Sequence, residues 1–189
     1  DYDEVTYTEA VDVMSAMGVF NGVGDGSSFG PTGTLTREQA AKIITYMIAG
    51  QTEADKLVAT IAPYSDVAAT RWSAGSIAYC TSEGIIAGTG DGTFQPTGEL
   101  TGLAFAKMLL TALGYDAEIE NLVGPSWAIN TAKLAVTAGL TQGLDISLTA
   151  PMTREQAAQM ALNAEQAIMV EYGTSIGVSV GDANVTIAG

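Results

Sequence analysis

The sequence predicts an all-α protein of three helix–loop–helix repeats, followed by a short β segment. Three observations predict this fold class. A turn-rich motif recurs along the chain, apolar residues fall at helical spacing on both sides of it, and the apolar period changes to two near the C-terminal end. We place the repeats at about residues 2–50, 62–115 and 124–173, and the β segment at 174–189.

The recurring motif is clearest in the first two copies. Gly22–Ala41 reads GVGDGSSFGPTGTLTREQAA, and Gly88–Ala106 reads GTGDGTFQPTGELTGLAFA. A third copy over Ala150–Ala158 reads APMTREQAA and lacks the glycine-rich loop. Agreement at this density indicates an internal repeat.

The first helix of each copy is predicted by an amphipathic run that ends at a glycine, which suits the left-handed position after a helix. The runs are Thr8–Met17, Trp72–Glu83 and Trp127–Ala138, and the glycines are Gly18, Gly84 and Gly139. We expect the apolar residues of these first helices at the centre of the protein. The candidates are Val13, Met14, Met17, Ile77, Leu134 and Ala135.

The second helix of each copy is predicted to begin after a threonine. Thr36 and Thr153 are each followed three residues later by a glutamine, which is the pattern of a capping box. Apolar residues then recur with a helical period, as in Ala40, Ile43, Ile44 and Met47. We expect the three second helices to end at Gly50, Gly114 and Gly173.

The remaining segments give weaker patterns. Glu53–Ile61 is predicted to form an additional helix, and the acidic stretch Tyr115–Pro125 is predicted to form a loop. After Gly173 the apolar residues alternate, around a turn at 181–184, which predicts a β-hairpin. The hairpin either starts a following β domain or packs on the helices as an edge, since two strands alone are marginally stable.

One helix–loop–helix unit is too small to bury its apolar face, so we expect the three units to pack around a common axis. The expected arrangement has pseudo-threefold symmetry and three grooves between neighbouring units.

The charge balance excludes two classes of partner. The chain has 21 acidic and 7 basic residues, a formal net charge of −14. Nucleic acids and anionic membrane surfaces both attract clustered cations, which this chain lacks. No apolar run is long enough for a membrane span, and no signal peptide is visible at Asp1. We expect neither nucleic-acid binding nor membrane insertion.

The composition also argues against catalysis and metal binding. Histidine, the usual general base and a common metal ligand, is absent from the sequence. The single cysteine, Cys80, is predicted to be a buried small apolar residue. Carboxylates are plentiful enough for glycoside hydrolysis, but none recurs in a setting that would raise its pKa. We therefore expect no catalytic residue, no metal and no cofactor.

Arg37 and Arg154 are the strongest candidates for a binding role. They occupy equivalent positions in the first turn of a second helix, where the helix dipole disfavours a cation by roughly 0.3–1 kcal/mol. Beside free helix N–H groups, an arginine makes a receptor for a carboxylate or phosphate. The alternative is that each arginine pairs with a nearby acid, such as Glu38 or Glu155, or is simply solvated.

The glycine loops Gly22–Gly26 and Gly88–Gly92 lack the context of a nucleotide-binding or calcium-binding loop. We expect tight turns whose glycines take positive φ. Trp72 and Trp127 open the first helices of copies two and three, and each is either a core residue or a flat platform for a sugar ring. Asp66, just ahead of Trp72, either caps this region or accepts hydrogen bonds from sugar hydroxyls.

In combination, these motifs resemble the S-layer homology family. The resemblance covers about residues 2–172 and is carried by Tyr64–Val67, Trp72, Gly84–Ile86, Gly88–Phe94, Pro96, Leu100–Thr101 and the Thr-Arg-Glu sequences. It implies a three-pronged spindle with a central bundle of the first helices. It also implies grooves that bind secondary cell-wall polysaccharide, commonly with ketal-linked pyruvate, or modified peptidoglycan. In these grooves Arg37 and Arg154 would hold the carboxylate, while Asp66 and Trp72 would line a groove. Loop glycines such as Gly24 and Gly90 would let the sugar lie close.

The three copies depart from the family pattern in different ways. Copy two has Gly102 in place of the arginine, and copy three lacks the Gly-Asp-Gly loop. Copy one lacks the opening tryptophan and has Tyr7 nearby, with Asp3–Val5 in place of the Asp-Val motif. We expect one or two working grooves.

The sequence therefore predicts a non-catalytic, extracellular module that anchors a bacterial surface protein to an anionic cell-wall polysaccharide. The alternative is a structural module that uses the same scaffold for protein–protein contacts in a surface lattice or filament, with self-association as its mark.

Overall fold

The structure, a computed structural model, describes residues 1–24 and 26–172 in full, together with the backbone of two strands at 176–180 and 183–187. A 3₁₀ turn covers Tyr2–Glu4. The α-helices are α1 (Thr8–Ala16), α2 (Arg37–Ala49), α3 (Gln51–Ala54), α4 (Ala74–Ser82), α5 (Gly102–Ala112), α6 (Trp127–Thr137) and α7 (Arg154–Glu165). The strands are β1 (Ile176–Val180) and β2 (Ala183–Ile187).

The predicted first and second helices are confirmed, as are their caps. The side chains of Thr36 and Thr153 each accept a hydrogen bond from the backbone N–H of the glutamine three residues later. Each glutamine Oε1 in turn accepts one from the backbone N–H of its threonine, so both capping boxes are present. At the start of α5, Thr101 Oγ1 accepts a hydrogen bond from Ala104 N, without the reciprocal side-chain bond, because residue 104 is an alanine. Gly18, Gly84 and Gly139 follow the first helices with positive φ, as predicted.

Three helix boundaries differ from the prediction. Only Gln51–Ala54 is helical in the segment after α2, so the helix predicted over Glu53–Ile61 is wrong. Helix α7 ends at Glu165, well before Gly173, which lies outside the described residues. Trp72 does not open α4 but precedes its N-cap, Ser73.

The centre of the protein is formed by the second helices. Helix α5 packs against both α2 and α7, whereas α1 packs on α7, α4 on α2 and α6 on α5. The prediction that first helices form the central bundle is therefore wrong. The physical reason is burial, since each second helix buries seven or eight residues and each first helix only two to four.

A ring of three backbone hydrogen bonds joins the starts of the second helices. Leu35 N donates to Met152 O at 2.8 Å, Met152 N to Leu100 O at 2.9 Å, and Leu100 N to Leu35 O at 2.9 Å. Each of these residues directly precedes a capping threonine, and all three side chains are buried. The ring ties equivalent positions of the three copies together; pseudo-threefold symmetry of the whole molecule stays a prediction.

Each first helix packs on the second helix of the preceding copy, and α1 closes the circle on α7. The unit of packing therefore runs across the sequence boundary between copies. It combines the second helix of one copy with the first helix of the next.

The remaining predictions concern Cys80, the loop after α5 and the hairpin. Cys80 is fully buried, and burial raises the pKa of its thiol to about 11. Residues 115–125 form turns and loop, as predicted. Strands β1 and β2 pair antiparallel, with Val178 opposite Val185, so the predicted hairpin is confirmed. Residues 181 and 182 of its predicted turn lie outside the described residues, and the domain boundary at 174 stays a prediction.

Within the described part of the chain, no helix is long and apolar enough to cross a bilayer.

Candidate functional site

Arg37 reaches from the start of α2 into the glycine loop of copy two. Its Nε donates to Phe94 O at 2.8 Å and its Nη2 to Ala87 O at 2.9 Å. The guanidinium lies 4.5 Å from the centre of the Phe94 ring, a cation–π distance. Arg37 therefore holds a loop of the neighbouring copy in place.

Arg154 makes the equivalent contacts from α7 to the loop of copy one. Its Nε donates to Phe29 O at 2.9 Å and its Nη2 to Asn21 O at 2.8 Å, and the guanidinium lies 5.0 Å from the centre of the Phe29 ring. Burial lowers the pKa of both arginines. The alternative in which the arginines pair with Glu38 and Glu155 is wrong, because those carboxylates have other partners.

The N–H groups at the starts of these helices also have partners. Arg37 N donates to Gly98 O at 3.0 Å and Glu38 N to Pro96 O at 3.0 Å. In α7, Arg154 N donates to Gly33 O at 2.9 Å and Glu155 N to Pro31 O at 3.2 Å. The helix N–H groups expected to help hold an anion are therefore occupied by loop carbonyls.

Glu38 links α2 to the start of α4. It accepts two hydrogen bonds from Arg71, at 2.7 and 2.8 Å, and one from Ser73 Oγ at 2.6 Å. Burial acts to raise the pKa of Glu38, but the hydrogen bonds from Arg71 and Ser73 and the charge of Arg71 together lower it.

Glu155 is the equivalent residue of copy three. It accepts from Thr6 N at 2.6 Å and Tyr7 N at 3.3 Å, just before α1. The glutamate of each Thr-Arg-Glu sequence thus fastens the first helix of the next copy in the circle.

Asp66 also stabilises a loop. Its two carboxylate oxygens accept from Phe94 N at 2.8 Å and Gln95 N at 2.7 Å, and these bonds lower its pKa although burial acts to raise it. Asp1 does the same in copy one, where it accepts from Phe29 N and Gly30 N. The residue of copy one that corresponds to Asp66 is therefore Asp1 rather than the expected Asp3.

The glycine loops are tight turns, as predicted. Gly24 and Gly90 have φ values of 60° and 95°. In copy two, Asp91 accepts from both Thr89 and Thr93, and these side-chain hydrogen bonds lower its pKa to about 2.

Two grooves lie at equivalent places between copies. The first groove has a volume of about 570 Å³. It is lined by the loop over 19–24 and by the face of α2 that carries Lys42. Arg154 and Trp72 complete its lining. The second groove has a volume of about 850 Å³. It is lined by residues 84–89 and by the face of α5 that carries Lys107. Arg37 and Trp127 complete its lining. Each groove therefore contains residues of all three predicted copies. In each, an arginine, a lysine and a tryptophan lie around a glycine-containing loop.

Comparison with known proteins finds one matching family model. The family model of the S-layer homology domain matches residues 1–41 and 63–106. These two segments of the chain are similar to the S-layer homology domain family. Both matched segments include a glycine loop and the start of a second helix. Residues 124–173 lie outside them, so a third repeat there stays a prediction based on the recurring motif.

Several curated proteins are similar to this chain. A surface layer protein of Brevibacillus choshinensis is 28% identical over 175 residues, which cover 89% of this chain and 15% of that protein. A cell surface protein of Thermoanaerobacter kivui is 28% identical over 170 residues, covering 90% of this chain and 21% of that protein. An endoglucanase of a Bacillus species (strain KSM-635) is 35% identical over 108 residues, covering 54% of this chain and 12% of that protein. The chain thus spans about a fifth or less of the length of each of these relatives.

The third position between predicted repeats, between copies two and three, differs from the two grooves. The arginine is replaced by Gly102 and the lysine by Gln159. A Cβ at Gly102 would lie 3.1–3.3 Å from side-chain and backbone atoms of Leu148, so the loop of copy three occupies the space near that arginine position.

The grooves bring together most of the predicted site residues. Arg154, Trp72 and Gly24 line the first groove, and Arg37 and Trp127 line the second. Asp66 and Gly90 are not among the residues that line either groove. Their predicted binding role is a hypothesis without support from this geometry.

Lys42 and Lys107 were not predicted from the sequence as site residues. Both lie six residues after a capping threonine, in copies one and two alone. An alignment of the second helices, rather than of the loops, would have revealed this position. Trp72 is 57% exposed, so the alternative in which it is a core residue is wrong.

Proposed function

We propose that the module anchors a bacterial surface protein non-covalently to an anionic cell-wall polysaccharide, which it binds in the first and second grooves. The observation that carries this proposal is the pair of equivalent grooves with the same arginine, lysine and tryptophan. A saccharide with an acidic group offers a flat apolar ring face for the tryptophan and an anion for the cations.

The charge of the module favours local capture of the anion. With a net charge of −14, the protein as a whole repels an anionic polymer. Binding must therefore come from the few cations at short range, and both grooves contain them. Pyruvate, attached to the sugar as a ketal, is the acidic group that the family resemblance suggests.

The location of the module is the bacterial cell surface. The family match and the relatives named surface layer protein and cell surface protein indicate it. Because the chain covers only a small share of those relatives, we propose that it acts as one module of a longer protein. The module itself binds rather than catalyses, and any catalytic activity belongs to other parts of such a protein.

The test is co-sedimentation with purified cell-wall sacculi from the host, before and after mild acid removal of pyruvate ketals. Trp72→Ala combined with Trp127→Ala tests the grooves without disturbing the loop contacts of the arginines. We expect the wild type to sediment with the sacculi, and both the double substitution and the acid treatment to reduce binding strongly. A chain that carries Tyr2→Ala, an exposed aromatic residue outside both grooves, is the control.

The proposal fails if the wild type stays in the supernatant with sacculi of its own host. Self-association of the purified chain in that same experiment would instead favour a module of protein–protein assembly.

A further inference from the structure

The two grooves differ in the state of their lysines. Lys42 in α2 and Lys107 in α5 occupy the same position of the repeat, and each lines a groove next to a tryptophan. The electrostatic surroundings of the two ammonium groups are different.

Lys42 already forms an ion pair with a carboxylate of this chain. Its Nζ donates to Asp55 Oδ1 at 3.0 Å, and Tyr46 OH donates to the same oxygen at 2.7 Å. Asp55 follows α3, in the segment inserted between copies one and two, and hydrogen bonds from Tyr46 and Lys42 lower its pKa. An anionic ligand of the first groove would have to compete with this carboxylate.

Lys107 has no such partner. Within residues 1–24 and 26–172, its Nζ forms no hydrogen bond and no ion pair; it lies 5.9 Å from the centre of the Trp127 ring. Glu118 lines the same groove and attracts the ammonium group without touching it. Burial desolvates the ammonium group and lowers the pKa of Lys107, the distant charge of Glu118 raises it only in part, and no described carboxylate contacts the ammonium group.

Arg37 is not free to act in its place. Its Nε and Nη2 are directed at Phe94 O and Ala87 O, and its planar face lies on the Phe94 ring. In a chain with 21 carboxylates, a half-buried lysine that none of the described carboxylates contacts is available to a ligand.

We infer that Lys107 receives the acidic group of the glycan, with the sugar ring on Trp127, and that the second groove is the stronger of the two sites. Arg37 acts as a positioning residue that shapes the groove wall. Asp55 weakens the first groove by holding Lys42. This inference rests on the proposed function.

The experiment is calorimetric titration of the chain with a hexoside that carries a ketal-linked pyruvate, and with its uncharged methyl ester. We expect Lys107→Gln to weaken binding of the acid by roughly tenfold or more, because a charge-assisted hydrogen bond is lost. Lys133→Gln, the same change at an exposed lysine of α6 outside both grooves, should alter binding by less than about twofold. The methyl ester should bind weakly to every variant.

Two further variants test the carboxylates. Asp55→Asn in the Lys107→Gln background should restore binding, now through Lys42 in the first groove. Glu118→Gln, at an exposed position, should strengthen binding to the second groove by removing a competing charge, and it does not depend on whether Lys107→Gln folds normally.

The results separate the two proposals. Failure of the wild type to bind the acid or the sacculi overturns the proposed function. Wild-type binding that Lys107→Gln leaves unchanged, or that Lys133→Gln reduces equally, overturns the role of Lys107 alone. If Lys107→Gln does not fold, Glu118→Gln decides instead: an affinity for the acid equal to that of the wild type overturns the role of Lys107.

Discussion

Arg37 and Arg154 each direct two nitrogen atoms at carbonyl oxygens in a loop of another copy. The sequence indicated that these two positions are special, because a cation in the first turn of a helix is unfavourable. It did not indicate the acceptors, because a backbone carbonyl carries no signature in the sequence. The same argument applies to Asp66. The sequence indicated that its carboxylate accepts hydrogen bonds, but it did not indicate that two loop N–H groups are the donors.

Substitution of Arg154 should destabilise the protein even without ligand. Arg154 is only 6% exposed, and its substitution by alanine removes the hydrogen bonds that it donates to the carbonyls of Phe29 and Asn21. We expect Arg154→Ala to lower the free energy of unfolding by about 2–4 kcal/mol, measured by urea denaturation. Arg154→Lys should also destabilise, since an ammonium group lacks the planar fork that reaches both oxygens.

The control for this prediction is Lys133→Ala, an exposed cation whose loss should cost no more than about 0.5 kcal/mol. If Arg154→Ala is as stable as the wild type, the loop contacts are not structural. A loss of glycan binding in the arginine variants would then be evidence for direct ligand contact.

At the scale of elements, the second helices were predicted most accurately. Their threonine caps, glutamine partners and apolar period all lie within a few residues of each other, so local sequence determines them. The end of α7 was predicted less well, because the chain between Glu165 and Tyr172 is held by contacts with distant residues. Val170 N donates to Leu113 O, and Tyr172 OH donates to Glu120.

The link between α2 and α4 through Glu38 should make stability depend on pH. The pKa of Glu38 is lowered on folding from its ordinary value of 4.5, so its contribution is complete above that value and is lost as the pH falls below it. We expect Glu38→Gln to lower the free energy of unfolding at pH 7 by about 1–3 kcal/mol. This difference from the wild type should shrink below about pH 4.5.

The measurement is urea unfolding of both proteins between pH 3 and pH 7. Glu53→Gln, which removes an exposed ion pair with Lys56, should show almost no difference at any pH. A difference between Glu38→Gln and the wild type that stays constant down to pH 3 would contradict the role of the carboxylate charge.

At the scale of the whole molecule, the sequence predicted three copies but not which helices meet. Helical periodicity reports which face of a helix is apolar and not which neighbour covers it. The second helices occupy the centre because they bury more residues, and each first helix then covers the second helix of the preceding copy. The circle closes between α1 and α7, the most distant helices in the sequence.

Removal of residues 1–17 tests this closure. We expect hydrogen exchange to show the largest loss of protection in α7, because α1 packs on α7 and Glu155 loses Thr6 and Tyr7 as donors. Helices α2 and α4 should keep most of their protection. Removal of residues 174–189, at the predicted domain boundary, is the control and should leave α7 protected. Loss of protection confined to α2 would instead show that each copy folds by itself.

The contact between α1 and α7 has a consequence for how separate molecules meet. Nothing in that contact requires both helices to belong to one polypeptide, because no covalent link spans it. When α1 leaves its own circle, the exposed side of α7 fits the α1 of another molecule as well as its own. Concentrated samples that have been partly unfolded and refolded should therefore contain exchanged dimers whose interfaces repeat the native contact.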